Sequence, residues 1–375
     1  MGNFSYKLLN TIFSFFPIKK RKIFFLSYYG SQYGCNPKYL SEYVVKNCKD
    51  WDVVWGFTEP EKHIIPEVRK VKYLSLQYFY EICTSQVFVT NYRMTEHYHK
   101  PKGQLYVQTW HSSLRLKMIE GDSVDTLPAN YVQMAKRDSK QIDILLSGCD
   151  FSTDIFRRAF WYDGEIAQTG TPREDLMFDA NFLRCETVFE KLGIPKRTHI
   201  LLYAPTFRKD NNLECYNIEF NKLITAVEKK FAGEWIVLLR LHPHLKNLSK
   251  QIVQDSSCVL DATSFDDIQE LLMVADIVIS DYSSLIFDFA LTKRPCFLYV
   301  TDLKEYTLHD RQLYFKINDL PFPICQNNEE LRKAILTFNL NTYQSRTEAF
   351  LQRIGSYEKG HACERSWEYI KKAIK

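Results

Sequence analysis

The stretch 276–300, DIVISDYSSLIFDFALTKRPCFLYV, carries two short apolar runs, 276–280 and 295–300, on either side of a helically spaced run, 285–291. Strand, helix and strand in so short a span is the repeating unit of α/β layering with a parallel sheet. Working outward, strands are expected at 199–204 and 234–241 in the second half, with helical periodicity at 219–231 and 266–274. The first half repeats the pattern, with strands expected at 22–29, 51–57, 86–90, 104–109 and 143–147. Two Rossmann-like units follow, and the turn formers at 170–173 and 192–195 put their boundary near 175–195. The expected organisation is a segment 1–22, a domain 23–180, a domain 181–341 and a tail 342–375. That tail reads as two helices joined at 356–360, able to cross back onto the first domain.

A chain of 375 residues suits two domains. Hydrophobic residues at 45% and charged residues at 25% fit a globular protein with a large core. A net charge of +4 is too small for a nucleic-acid coat, so no nucleic-acid partner is expected. The ten cysteines stand singly, with no Cys-x-x-Cys, which argues for free thiols and against a zinc site. Neither a dinucleotide nor a P-loop glycine fingerprint occurs. No cofactor and no metal are expected.

At the N-terminus, Phe4, Leu8, Leu9, Ile12, Phe13, Phe15 and Phe16 precede Lys19, Lys20, Arg21 and Lys22, and no acid appears before Glu42. The apolar stretch falls short of the roughly 20 residues that span a bilayer. Its order, apolar then basic, is the reverse of a secretory signal. Residues 1–22 are expected to lie in the plane of an anionic membrane face, making the protein cytoplasmic and peripheral, or else to pack as a helix on the protein's own surface.

Ligands of open α/β sheets bind beyond the carboxyl ends of the strands, and four such ends are polar here. The first is Gln108-Thr109-Trp110-His111-Ser112-Ser113, where His111 is suited to accept a proton near neutral pH. The second runs from Leu201 through Ala204-Pro205-Thr206-Phe207-Arg208 and offers a hydroxyl and a guanidinium. In the third, Leu238 to His244, alternation puts Arg240 and His242 on one side, able to reach one anion. In the fourth, Asp281-Tyr282-Ser283-Ser284 opens the helical run, and the two serines mark either a phosphate site or a simple N-cap.

Together with GTPREDL at 170–176, these stretches resemble the CDP-glycerol:glycerophosphotransferase family, which contains the teichoic-acid primases and polymerases. The matching pieces are QTWHSS, GTPREDL, LLYAPTFR, LLRLHP and ISDYSSLIFDFALTKRPCFLYVTDLKEY, in the family's order, with weaker agreement around 21–42 and 356–366. The resemblance implies a GT-B fold of two Rossmann-like domains facing a cleft, with the donor held mainly by the C-terminal one. It implies that an acceptor hydroxyl attacks the β-phosphorus of CDP-glycerol and CMP leaves. His111 would be the general base and His242 would stabilise the pyrophosphate. Arg173, Pro205, Thr206, Arg240, Ser283, Ser284 and Asp288 fall on donor-binding positions, with Trp110, Ser112, Ser113, Arg208 and Asp281 in the same clusters. The expected partners are CDP-glycerol or a related CDP-polyol, a lipid-linked glycan acceptor and an anionic membrane surface. Glycerol and ribitol donors would present the same pyrophosphate to the same clusters. Two other readings stand beside this one: a GT-B glycosyltransferase using a donor such as CMP-sialic acid, and a catalytically degenerate assembly factor on the membrane. One departure is local: the family usually has glycine after the motif histidine, where this chain has Ser112. If that glycine serves a positive φ or a close substrate approach, Ser112 strains the loop or narrows the pocket.

Overall fold

The computed structural model describes residues 3–208, 214–241, 245, 249–253, 256–309 and 312–374. The chain divides into two compact units, one formed by residues up to 113, 119–175 and from 356 onward, the other by 114–118 and 176–355.

Unit 1 is built on seven parallel strands: β1 (Lys19–Leu26), β2 (Asp52–Phe57), β3 (Arg69–Lys72), β4 (Ser85–Thr90), β5 (Leu105–Gln108), β6 (Ile144–Leu146) and β7 (Glu165–Ala167). Their order across the sheet is β3-β2-β1-β4-β5-β6-β7. The order reverses between β1 and β4, so the switch point of a doubly wound sheet lies there. Alternate residues of β1 explain the layering. Phe24 and Leu26 join Val54, Phe88, Tyr106 and Leu145 in one core layer, while Ile23 and Phe25 join Trp55, Val89, Val107 and Leu146 in the other. The first layer is covered by α1 (Asn3–Ser14), α3 (Leu76–Cys83) and α5 (Asp150–Ala159); α4 (Ala129–Ser139) carries Asp138 and Ser139 into a buried polar network described below. The second is covered by α2 (Cys35–Asn47) and by the last helix of the chain, Ala362–Ala373, through Trp367 and Ile370. One tail helix therefore returns to unit 1.

The N-terminal stretch is two elements rather than one. Tyr6, Leu9 and Phe13 of α1 pack on the core, and Asn10, fully buried, bonds Cys83 and the His99 amide. Leu8, Ile12, Phe15 and Phe16 remain exposed. The basic run belongs to β1, which starts three residues earlier than the periodicity suggests. Lys22 is buried and paired with Glu81 and Thr84, and Arg21 pairs with Asp50 at 2.8 Å. Only Lys19, Lys20 and Arg21 of that run stand at the surface.

Unit 2 repeats the theme with β8 (His199–Tyr203), β9 (Trp235–Leu239), β10 (Val259–Asp261), β11 (Ile277–Ser280), β12 (Cys296–Tyr299) and β13 (Ile324–Cys325), ordered β10-β9-β8-β11-β12-β13 and parallel. This is the same doubly wound order, with its switch point between β8 and β11. Its helices are α6 (Glu186–Leu192), α7 (Phe220–Phe231), α8 (Ser249–Val253), α9 (Ile268–Val274), α10 (Leu285–Ala290), α11 (Leu303–His309), α12 (Asn328–Leu336) and α13 (Leu340–Arg353); Ala362–Ala373 is α14. Helix α13, the first tail helix, stays with unit 2 by stacking Phe350 on Phe287. All ten cysteines are free.

Candidate active site

In unit 1 the polar residues gather beyond the ends of β1, β4 and β5, around the switch point. Chain geometry there is unusual: Tyr28, Tyr29, Cys35 and Trp110 all have positive φ, between 47° and 60°. Such strain is held by surrounding bonds, and functional sites are where it collects. Trp110 is fixed from three sides. Its N–H donates to Gln108 Oε1 at 2.9 Å, its carbonyl accepts from Asn36 Nδ2 at 3.1 Å, and its ring meets Phe160 edge-on at 4.9 Å. The positive φ falls on Trp110, not on Ser112, so serine at 112 carries none of the strain that a lost glycine would imply.

His111 follows, half-buried, with Nδ1 at 3.2 Å from the Asn91 carbonyl beyond β4 and its ring against Tyr92 and Trp110. A carbonyl only accepts, so Nδ1 carries a proton, and in the neutral ring this makes Nε2 the basic nitrogen, the tautomer a general base requires. Beneath this loop lies a buried guanidinium. Arg93 donates to Ser139 at 2.7 Å, to the Phe160 carbonyl at 3.1 Å and to Glu120 at 3.2 Å, with Asp138 at 3.4 Å, and it lies 3.6 Å from the centre of the Phe160 ring that supports Trp110. Burial pushes the Asp138 carboxyl up to about 6, against the pull of Arg93.

Arg173 sits in this unit, after β7. Its amide donates to Asn36 Oδ1 at 3.0 Å, and its guanidinium reaches Glu174 at 3.1 Å and Cys35 at 3.6 Å. One fully buried asparagine side chain thus joins the His111 loop to the Arg173 loop. Ser112 and Ser113 are buried, and the Ser113 carbonyl accepts from Ser152 at 2.6 Å.

In unit 2 the loops after β8 and β11 meet at the second switch point. Asp281 accepts from the Thr206 amide at 2.9 Å, the Tyr282 amide at 2.6 Å and Arg208 at 2.9 Å. Arg208 forks onto Asp302 at 2.6 and 3.2 Å, donates to Thr206 Oγ1 at 2.6 Å, and lies about 5 Å from the centres of the Tyr282 and Tyr306 rings. Both are more than nine-tenths buried. Sequence alone groups Arg208 and Asp281 with the ligand-binding residues; in the structure their bonds also brace those loops. Asp288, buried on α10, accepts from Gln269 on α9 at 3.1 Å and ties the two helices. Thr206, Ser283 and Ser284 stay half-exposed at the loop tips. Ser284 makes no side-chain capping bond and Ser283 reaches only the Leu285 amide, at 3.4 Å, so capping claims little of either hydroxyl. Pro205 ends the strand by withholding an N–H.

Arg240, beyond β9, donates to the carbonyls of Ala262 and Thr263. Burial pulls its guanidinium down from the ordinary value, with Asp267, Asp266 and Asp261 opposing. A desolvated cation held by dipoles gains strongly from an anionic ligand. His242 lies outside the described residues. No cluster of metal-ligating side chains occurs among the described residues.

Two doubly wound parallel sheets in series, each with polar loops at its switch point, define a protein of GT-B-like fold. The particular family follows from comparison with known proteins. Residues 8–372 match the CDP-Glycerol:Poly(glycerophosphate) glycerophosphotransferase family, and the chain belongs to it. It is 30% identical over 373 residues to a teichoic acid poly(glycerol phosphate) polymerase of Staphylococcus epidermidis, covering 96% of this chain and 51% of that protein. It is 30% identical over 367 residues to a teichoic acid glycerol-phosphate transferase of Staphylococcus aureus, covering 94% and 93%. The chain therefore spans about half of the first relative and nearly all of the second. Among solved structures, the wall teichoic acid polymerase TagF superposes with a TM-score of 0.84 at 28% identity over 98% of this chain and 94% of that one. A UDP-N-acetylglucosamine 2-epimerase from Listeria monocytogenes shares the fold alone, with a TM-score of 0.58 at 14% identity.

Proposed function

We propose that this enzyme transfers glycerol phosphate from CDP-glycerol to a hydroxyl of a lipid-linked or surface-polysaccharide acceptor, releasing CMP. The observation that carries the proposal is the His111 tautomer, set by the Asn91 carbonyl within the strongest family motif. The acceptor oxygen forms a bond to the β-phosphorus as the bond from that phosphorus to the CMP oxygen breaks. The hydroxyl proton passes to His111 Nε2, and the electron pair leaves with CMP. Thr206, Ser283 and Ser284 offer hydroxyls to the donor's phosphates, and Arg240 and His242 offset the charge that builds on the leaving group. Arg173 belongs to the same donor set. A TagF structure described as a histidine variant soaked with CDPG supports this donor class.

The exposed Leu8 and Ile12 of α1 and Phe15 just past its end, with Lys19, Lys20 and Arg21 beyond them, support docking on the anionic cytoplasmic leaflet, where a lipid-linked acceptor would lie. No helix among the described residues is long and apolar enough to cross a membrane.

The test is incubation of the full chain with CDP-glycerol, CDP-ribitol, CMP-sialic acid and UDP-sugars, followed by mass analysis of nucleotide and lipid products. CMP with glycerol phosphate on the acceptor is the expected result. CMP with transferred sugar, or no turnover of any donor, would reject it.

A further inference from the structure

Glu358 lies in the short segment through which the chain re-enters unit 1, between α13 and α14. It is 7% exposed. Its carboxylate accepts from the Thr171 amide at 3.0 and 3.1 Å and from the Thr171 hydroxyl at 2.8 Å, and the Ser113 side chain bonds it as well. Two glycines make room for it. A Cβ on Gly148 would overlap both Glu358 Oε1 and Ser113 Oγ, and one on Gly170 would stand 2.7 Å from Glu358 Oε2. The segment is seated from the other side too, because the Tyr357 amide donates to the Gly148 carbonyl at 2.8 Å.

Ser113, Gly148 and Thr171 stand on the loops that follow β5, β6 and β7. The β5 and β7 ends are therefore joined through one carboxylate, and the β6 end packs against it and holds its neighbour Tyr357. Ser113 is two residues from His111 and Thr171 is two residues from Arg173. We infer that Glu358 is a positioning residue of the transferase, a clasp from the C-terminal segment that sets the His111 and Arg173 loops in register. The inference rests on the proposed roles of His111 and Arg173. It gives the C-terminal segment a part in a site built from the first half of the chain. Burial pushes the Glu358 carboxyl up to about 7, and Asp175 beside it, which caps α14, adds to the effect. The Cys363 thiol, His361 and Glu42 are further titratable groups facing this cluster.

The experiment compares wild type, Glu358→Gln and Thr171→Val in the full chain. CMP release from CDP-glycerol is followed from pH 5.5 to 9, with a thermal melt at each pH. Separately, histidine-labelled protein reports the His111 imidazole by nitrogen NMR without any substrate. Glu358→Gln keeps the shape but exchanges one acceptor for a donor facing Thr171. It should lower kcat about 10-fold or more with donor KM within about twofold, change the acid limb of the kcat profile, and shift the His111 ring signals. Thr171→Val should move the same readouts in the same direction by less. If Glu358→Gln fails to fold, Thr171→Val decides alone. Wild-type kcat and an unmoved His111 signal in a folded variant would overturn the inference. So would a rate loss that only tracks the unfolded fraction, with pH profile and His111 signal unchanged. If wild type fails to turn over CDP-glycerol, the functional proposal falls and the NMR shift still decides the role of Glu358.

Discussion

His111 owes its tautomer to a backbone carbonyl, and its place to residues with no chemistry of their own. Replacing it with Ala should lower turnover by roughly 100-fold or more, the scale of a general-base contribution, while calorimetry shows donor affinity largely kept. Turnover near wild type would remove it from the mechanism. Arg208 should behave differently, because it braces loops. Arg208→Ala leaves the buried Asp281 and the partly buried Asp302 without their cation, so a loss of about 3–5 kcal/mol of stability is expected in a denaturant titration. A variant as stable as wild type but weak in donor binding would make Arg208 a ligand contact and not a brace. The residues legible in sequence were polar ones directly after apolar strands, such as His111 and Ser283. Asn36 and Arg93 were not, since a buried amide or guanidinium is recognised by partners 27 to 137 positions away, which no local pattern reveals.

At the scale of elements, α1 has two faces with separate consequences. Leu8 and Ile12 point outward, as does Phe15 just past the helix end, so changing all three to Ser should leave the melting temperature near wild type and cut co-sedimentation with anionic vesicles at low salt. Phe13 packs against Tyr80 and the core, so Phe13→Ala should cost about 1–2 kcal/mol. Equal vesicle binding by the triple variant would return the helix to a purely structural role. The strands that sequence reading missed, β3, β7, β10 and β13, are the four edges of the two sheets. They are two to four residues long, and β3 reads RKVK. Edge strands need little apolar surface and carry charge that discourages further pairing, so the signal that found their central neighbours is absent from them.

At the scale of the whole molecule, stability should depend on pH through buried carboxyls. Burial raises Glu358 from 4.5 to about 7 and Asp138 from 3.8 to about 6. The native state holds each proton more tightly than the unfolded chain does. That stabilisation is complete below the unfolded values and is lost as pH rises through about 6 and 7. His97 and His99, held below 6.5 by burial, act in the opposite sense, so a difference measurement is needed. The melting temperature of wild type minus that of Glu358→Gln should fall between pH 5 and 8. A flat difference would contradict the raised carboxyl.

Sequence by itself determined the two parallel-sheet units, because central strands buried on both faces are written as near-continuous apolar runs that survive any choice of neighbours. It determined the motif loops at their ends for the same reason: a polar cluster directly after such a run has only the carboxyl edge of the sheet to occupy. Tertiary structure alone decided that Arg208 and Asp281 face each other, that Lys22 is a buried strand residue, and that α14 but not α13 returns to unit 1. Each depends on which distant group fills the space beside it, and burial of a charge is settled by that partner, not by the residues on either side in the chain.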